Sequence, residues 1–160
     1  MPRFPNWLSP AGFAGIVLLF AFPFVALTCE GERAASFTGV QLVTGTTVDQ
    51  SNLGRGQAEP VGGRLWARVA LACAVFGAAL GFVKTRLGAR GPAAAGAAGA
   101  ISLLLLRVSV NADVLRQGEG MLRTRYALAF WLAMLLFVGL AVLHGATLAR
   151  ERDGRGGELR

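Results

Sequence analysis

The sequence predicts an all-α membrane protein, a bundle of four transmembrane helices with an extracytoplasmic first loop. Three observations lead there. Hydrophobic residues make up 54% of the 160-residue chain and charged residues only 16%, against about 25% charged in an average soluble protein. The apolar residues fall into four blocks instead of being dispersed. The basic residues behind the net charge of +7 flank those blocks, where membrane-protein loops and helix ends carry them. In a soluble domain such a charge would suggest nucleic acid. No aromatic-plus-basic surface motif accompanies it here, so no nucleic-acid partner is expected.

Residues 1–149 read as one transmembrane domain, with helices at about 10–28, 65–83, 92–110 and 126–148. The first segment contains no charge. Ser9 suits its N-cap, and Pro10 its first helical position, where a missing N–H costs nothing. At ~1.5 Å per residue the segment spans about 28 Å, close to the hydrocarbon thickness. Pro23 is expected to kink its far end, and Trp7 to lie at the interface. The length of the run and its prolines argue against a cleaved signal peptide. Thr28 is larger than the residue a lipoprotein needs before its acylated cysteine, which argues against that fate for Cys29.

Loop 30–63 is the one sizeable stretch outside the predicted spans, and it is read as extracytoplasmic. Two structures suit its residues 36–45. Val40, Leu42 and Thr44 alternate with Gln41, Val43 and Gly45, as in a short strand. Alternatively Thr38 caps a short helix that Gly45 terminates, with Val40, Leu42 and Val43 resting on the bilayer surface. The helix is preferred, because a lone strand has no partner in so small a loop.

The second and third segments form a hairpin joined by a short basic linker containing Lys84, Arg86 and Arg90. Gly77 and Gly81 on one, Ala95 and Gly99 on the other, have the small-residue spacing that lets helix backbones approach in lipid, within the chain or with a partner. Arg68 can snorkel from one end. Arg107 lies about 22 Å along its helix, near the opposite interface. The third helix is expected to run on past the membrane through Asp113 to Arg116, until Gly118 and Gly120 break it. Arg107 shares a face with Asn111, and Asp113 can pair with Arg116. Together with Arg123 and Arg125, these residues would make a candidate anion- or headgroup-binding spot. The fourth segment is uncharged, with Tyr126 and Trp131 early and His144 late. Residues 150–160, Gly-rich and of mixed charge, are expected to be a disordered polar tail.

No chemistry of a catalytic or metal site stands out. Cys29 and Cys73 are the two cysteines, and His144 is the single histidine. Both thiols are read as free, and no zinc motif surrounds the histidine. The glycines of residues 77–100 follow no strand and precede no Gly-Lys-Ser/Thr, so they make no phosphate loop. No enzyme activity, metal or cofactor is expected.

Four spans would place both termini on one side. The sixteen Lys and Arg residues divide equally between the two sides. Charges in short loops count most, so Lys84, Arg86 and Arg90 favour cytoplasmic termini in the cell membrane. A single lysine against many arginines, with abundant Ala and Gly, suggests a GC-rich bacterial genome.

Phe22, Pro23, Phe24, Val25 and Cys29 carry a resemblance, together with Thr38, Gly39, Gln41, Leu42, Thr44 and Gly45. The stretch resembles a pattern in small bacterial multi-span membrane proteins, in which a first helix ends in Pro-aromatic-Val and Cys. A Ser/Thr-Gly-x-Gln-Leu-x-Thr-Gly loop follows it. The resemblance covers about a quarter of the chain, implies a four-helix membrane fold and carries no activity. It points to Phe37, Thr38, Gly39, Gln41, Leu42 and Gly45 as a deliberate outer element, and so as a candidate interaction site beside Arg107, Asn111, Asp113, Arg123 and Arg125.

These features favour a non-enzymatic accessory or structural subunit of a larger membrane assembly, whose partners are the lipid bilayer and another membrane protein or a second copy. A minimal channel, a transporter component or a lipid-binding protein is the alternative. A sensor binding its ligand through loop 30–63 is the third reading.

Overall fold

Each long helix of this protein buries one narrow stripe of side chains and leaves several large apolar side chains exposed on its other faces. The structure, a computed structural model, describes residues 8–29, 32–48, 59–82, 90–117 and 122–156. Along the chain these form α1 (Leu8–Leu19), β1 (Pro23–Cys29), β2 (Glu32–Thr38), α2 (Gly39–Thr44), β3 (Gly45–Val48), β4 (Glu59–Gly62), α3 (Leu65–Phe82), α4 (Arg90–Gln117), β5 (Leu122–Tyr126) and α5 (Leu128–Gly156). The chain is mostly helical, and a small sheet closes one end. Among the described residues two helical stretches, Arg90–Val114 and Leu128–Ala149, are long and apolar enough to cross a membrane.

The long helices close a ring, in which α3 packs on α1 and α4, and α5 packs on α4 and α1. Their buried stripes follow helical spacing. Phe13, Ile16 and Phe20 come from α1, and Ala67, Ala70 and Ala74 from α3. Leu103, Leu106 and Val110 come from α4, and Phe130, Ala133, Phe137 and Leu140 from α5. Bulk on α1 and α5 meets small residues on α3 and α4. A Cβ on Gly77 would fall 2.5 Å from the Phe13 ring, and one on Gly81 would fall 3.1 Å from Pro10. Gly99 lies against the Phe137 ring, and Gly96 lets the backbone of α5 approach at Phe137 and Ala141. The small residues of the hairpin therefore do not face each other. Those of α3 receive α1 and those of α4 receive α5, because the rings that need holes lie on α1 and α5. Ala95 packs against the edge of the same core.

The first apolar segment does not run as one helix through residues 10–28. It stops at Leu19 and becomes a strand at Pro23. Proline cannot donate to a helical ladder and disfavours helical geometry in the residue before it. Phe24, Val25 and Thr28 then suit an extended chain. The last turn tightens, with Ala21 donating to Leu18 and Phe22 to Leu19, each at 3.0 Å, the three-residue pattern usual at helix ends. Nor does Ser9 precede the helix, which already begins at Leu8.

An all-α fold is thus not what the chain adopts. β1 is the centre of an antiparallel sheet in the order β2-β1-β5. Val25 stands opposite Tyr126 on one side and Phe37 on the other. An irregularity between Pro23 and Val25 bends the strand so that neighbouring Phe24 and Val25 are both buried. Loop 30–63 therefore contains β2, α2 and the β3–β4 pair, and its strands do have partners: β2 pairs with β1 just before it, and β3 with β4 within the loop.

α4 continues through Asp113 to Gln117, past its apolar part. α5 also continues through Gly156, into the stretch expected to be disordered from residue 150. Extending an existing helix needs no nucleation, and Arg and Glu are good helix formers, so the added turns cost little. Trp7, Lys84, Arg86 and residues 157–160 lie outside the described residues.

Glycine substitutions separate the two surfaces of the ring. Gly77→Ala is expected to destabilise the protein by about 1–3 kcal/mol through overpacking against Phe13. Gly139→Ala, where nothing lies within 4 Å of a new Cβ, is expected to be neutral or to stabilise by up to ~1 kcal/mol. Thermal melting of the two variants in the same detergent measures both.

Candidate functional site: the sheet end of the bundle

The residues expected at an outer interaction site gather at the end where α1 stops and α3 and α5 begin. Most of them hold that end together. α2 begins with a capping box: Gln41 N donates to Thr38 Oγ1 at 3.2 Å, and Thr38 N donates to Gln41 Oε1 at 2.9 Å. Its next two N–H groups meet the end of α1, with Gly39 donating to Phe22 O at 3.3 Å and Val40 to Phe20 O at 2.9 Å. Gly39 permits that approach, since a Cβ there would lie 2.8 Å from the Phe20 backbone.

The far end of α2 is equally closed. Gly45, at φ 87°, donates from its N–H to Gln41 O. Arg64 N donates to Leu42 O at 2.7 Å, and Arg68 Nε to Val43 O at 2.9 Å. Arg68 therefore binds a carbonyl at the negative end of a short helix. Leu42 is buried in the core, Phe37 and Val43 pack against it, and Val40 is exposed. The preferred short helix forms, but it rests on the end of the bundle with Leu42 inside.

A second cluster lies between α4, β5 and α5. Tyr126 is placed so that its hydroxyl donates to Asn111 Oδ1 at 2.8 Å and lies 3.1 Å from Arg107 O. Thr124 Oγ1 donates to the same Asn111 oxygen at 3.1 Å. The Arg107 guanidinium sits 5.5 Å from the centre of the Tyr126 ring and 5.2 Å from that of Trp131, within cation–π range of both. Those rings continue through Phe130 to Phe24 and Phe20. One aromatic run thus joins the end of α1 to the charge on α4.

Strand alternation decides which arginines can join this cluster. Thr124 and Tyr126 of β5 face Asn111, so Arg125 between them belongs to the opposite face, where it is exposed. Arg123 stands opposite Thr28 in the register. Asp113 pairs with Arg64 at the start of α3, a partner remote in sequence. The side chain of the local i, i+3 candidate, Arg116, lies outside the described residues.

Tyr126, Trp131, Thr124 and Arg64 were not singled out as site residues. Tyr126 and Trp131 did carry a signal, as aromatics at the start of the last apolar segment, level with Arg107 at the end of the third. Nothing in the sequence indicated the Arg64–Asp113 pair. At the opposite end, His144 Nε2 lies 2.9 Å from Ser9 Oγ, which ties α5 to α1. A cleft of about 330 Å³ beside Arg90, Gly145, Leu148 and Ala149 is close by. Among the described residues no group of three His, Cys, Asp or Glu side chains could hold a metal ion.

Burial raises the Tyr126 pKa above its ordinary value, and the nearby positive charge of Arg107 opposes the rise. Tyr126 is the only tyrosine in the chain, so its ionisation can be followed by absorbance alone. It is expected to titrate above about pH 10, the free-tyrosine value, and higher still in Arg107→Gln. A group with a raised folded-state pKa stabilises below its unfolded value and loses that effect as pH climbs through the folded one. This contribution is therefore present at neutral pH and disappears in strong alkali. Tyr126→Phe is expected to cost about 1 kcal/mol in thermal stability at pH 7 and to abolish the alkaline step.

Set beside known proteins, this chain matches no family model, no curated protein and no solved structure.

Proposed function

We propose that this protein is a non-enzymatic multi-pass membrane protein, a four-transmembrane-helix bundle that serves as an accessory or structural subunit of a larger membrane assembly. The observation that carries the reading is the outward surface of the ring. Phe76 is 67% exposed, Leu135 66% and Val108 64%, and Leu18, Val75, Ile101 and Val142 are also exposed. A water-soluble bundle would turn polar residues outward from all its helices. Lipid, or another membrane protein, is the environment these faces suit.

The inside of the ring supports a scaffold over a channel. Phe13 and Phe137 meet edge to face at 6.4 Å, and each fills a glycine-lined hollow on a neighbouring helix. The sensor reading draws little support from α2, whose backbone ends and polar side chains are occupied in holding the fold. The termini are assigned to the cytoplasm on the strength of the basic hairpin linker, which puts the sheet on the outer side.

Three measurements test the proposal. Alkaline carbonate extraction of membranes is expected to leave the protein in the pellet, and release to the supernatant would refute membrane spanning. Purification in mild detergent is expected to bring down a partner, or a second copy, in fixed ratio. A clean monomer would count against the subunit role. A membrane-impermeant maleimide applied to whole cells is expected to label Cys29, and labelling only after permeabilisation would reverse the orientation.

A further inference from the structure

The Arg107 cluster has an imbalance that the fold does not resolve. An arginine stacked on aromatic rings engages them with its flat face, while its five N–H donors lie in its own plane. Among the described residues no carboxylate pairs with Arg107 and no oxygen accepts from it. Two hydroxyls converge on Asn111 Oδ1, and no described residue accepts from the Asn111 amide nitrogen. Donors therefore accumulate here without acceptors.

The surroundings indicate where an acceptor would come from. Arg107 lies about 26 Å along α4 from Arg90 at 1.5 Å per residue, at the sheet end of the stretch long enough to cross a membrane. Leu104 and Asn111 share its helix face at i−3 and i+4 spacing, and Leu104 is exposed. On the neighbouring α5, Leu128, Trp131 and Leu132 are exposed on one face too. A cation with unpaired donors thus sits beside exposed apolar side chains of both helices.

We propose that Arg107, with the Asn111 amide beside it, binds the phosphate of an anionic phospholipid whose acyl chain lies against the exposed apolar side chains of α4 and α5. Phosphate oxygens match the planar fork of a guanidinium, which can bind two of them at once. Tyr126 and Trp131 hold the guanidinium by cation–π contact, as interfacial aromatics can. The exposed apolar side chains accept hydrocarbon that a free anion would lack. This inference rests on the membrane-spanning reading above.

Thermal melting of the intact purified protein in mild detergent tests it, with phosphatidylglycerol, phosphatidylcholine, diacylglycerol or inorganic phosphate added at equal concentration. At tenfold excess over its dissociation constant, phosphatidylglycerol is expected to raise the midpoint by roughly 3 °C. Phosphatidylcholine should raise it less, and diacylglycerol and inorganic phosphate should leave it unmoved. Arg107→Gln is expected to erase the difference between the two phospholipids. Arg107→Lys, which keeps the charge but not the fork, should retain only part of it.

Equal shifts with phosphatidylglycerol and phosphatidylcholine in the unaltered protein would overturn the proposal, whatever the variants do. So would an undiminished preference in Arg107→Gln. A shift produced by inorganic phosphate alone would assign the donors to a soluble anion instead of a lipid. Carbonate extraction reports separately on whether the protein spans the membrane, so failure of lipid selectivity and failure of the membrane reading give different results.

Discussion

A helix that ends inside an apolar bundle leaves carbonyl groups with no water to receive them, and the sheet end of this protein is built around that constraint. α1 stops at Leu19 because Pro23 cannot extend it. The α1-end carbonyls of Leu18, Leu19, Phe20 and Phe22 are then met in turn, by a tightened last turn and by the first N–H groups of α2. α2 passes the problem on, and its own last carbonyls find Arg64, Arg68 and Gly45. Each buried group left unmet would cost about 1–3 kcal/mol, so a chain of bonds that looks local determines where α2 and the start of α3 must sit. Gly39 is the residue that lets the two helix ends come close enough.

Within the ring the governing feature is complementarity of size. Small residues on adjacent helices are often taken as evidence that those two helices pack on each other. Here they mark the positions at which rings from other helices enter, Phe13 at Gly77 and Phe137 at Gly99. The hairpin of α3 and α4 is a pair of hollowed surfaces, and α1 and α5 supply the bulk. Such a core has little freedom to slide, because a shift of one residue would set each ring against a side chain instead of a glycine.

What could be read from the sequence follows the range of the interaction concerned. Thr38, Gln41 and Gly45 lie within a few residues of one another, and caps act at that range, so the short helix at residues 39–44 was legible. The apolar run of α3 was legible for the same reason, as was the continuation of α4 beyond Val110. Pro23 was seen but taken for a kink, because the apolar run continued past it and hydropathy does not distinguish a helix from a buried strand. β1 has its neighbour β2 directly after it, but its second partner, β5, comes from the far side of two helices and could not have been read. The Arg64 partner of Asp113 was hidden likewise, and the nearer Arg116 looked sufficient. At the candidate site the polar members of the Arg107 cluster were legible as a helical face. The aromatics that hold it, and the separation of Arg125 by strand alternation, required the sheet.

The position of β5 bears on how the protein is made. β1 can pair at once with β2, the next strand in the chain. Its other edge waits until α3 and α4 have been synthesised and β5 follows them. Pairings so distant in sequence form late, and an unpaired edge is open to other chains in the meantime. Closure of the sheet therefore waits for β5, and until then the edge of β1 is the part of the chain most exposed to mispairing.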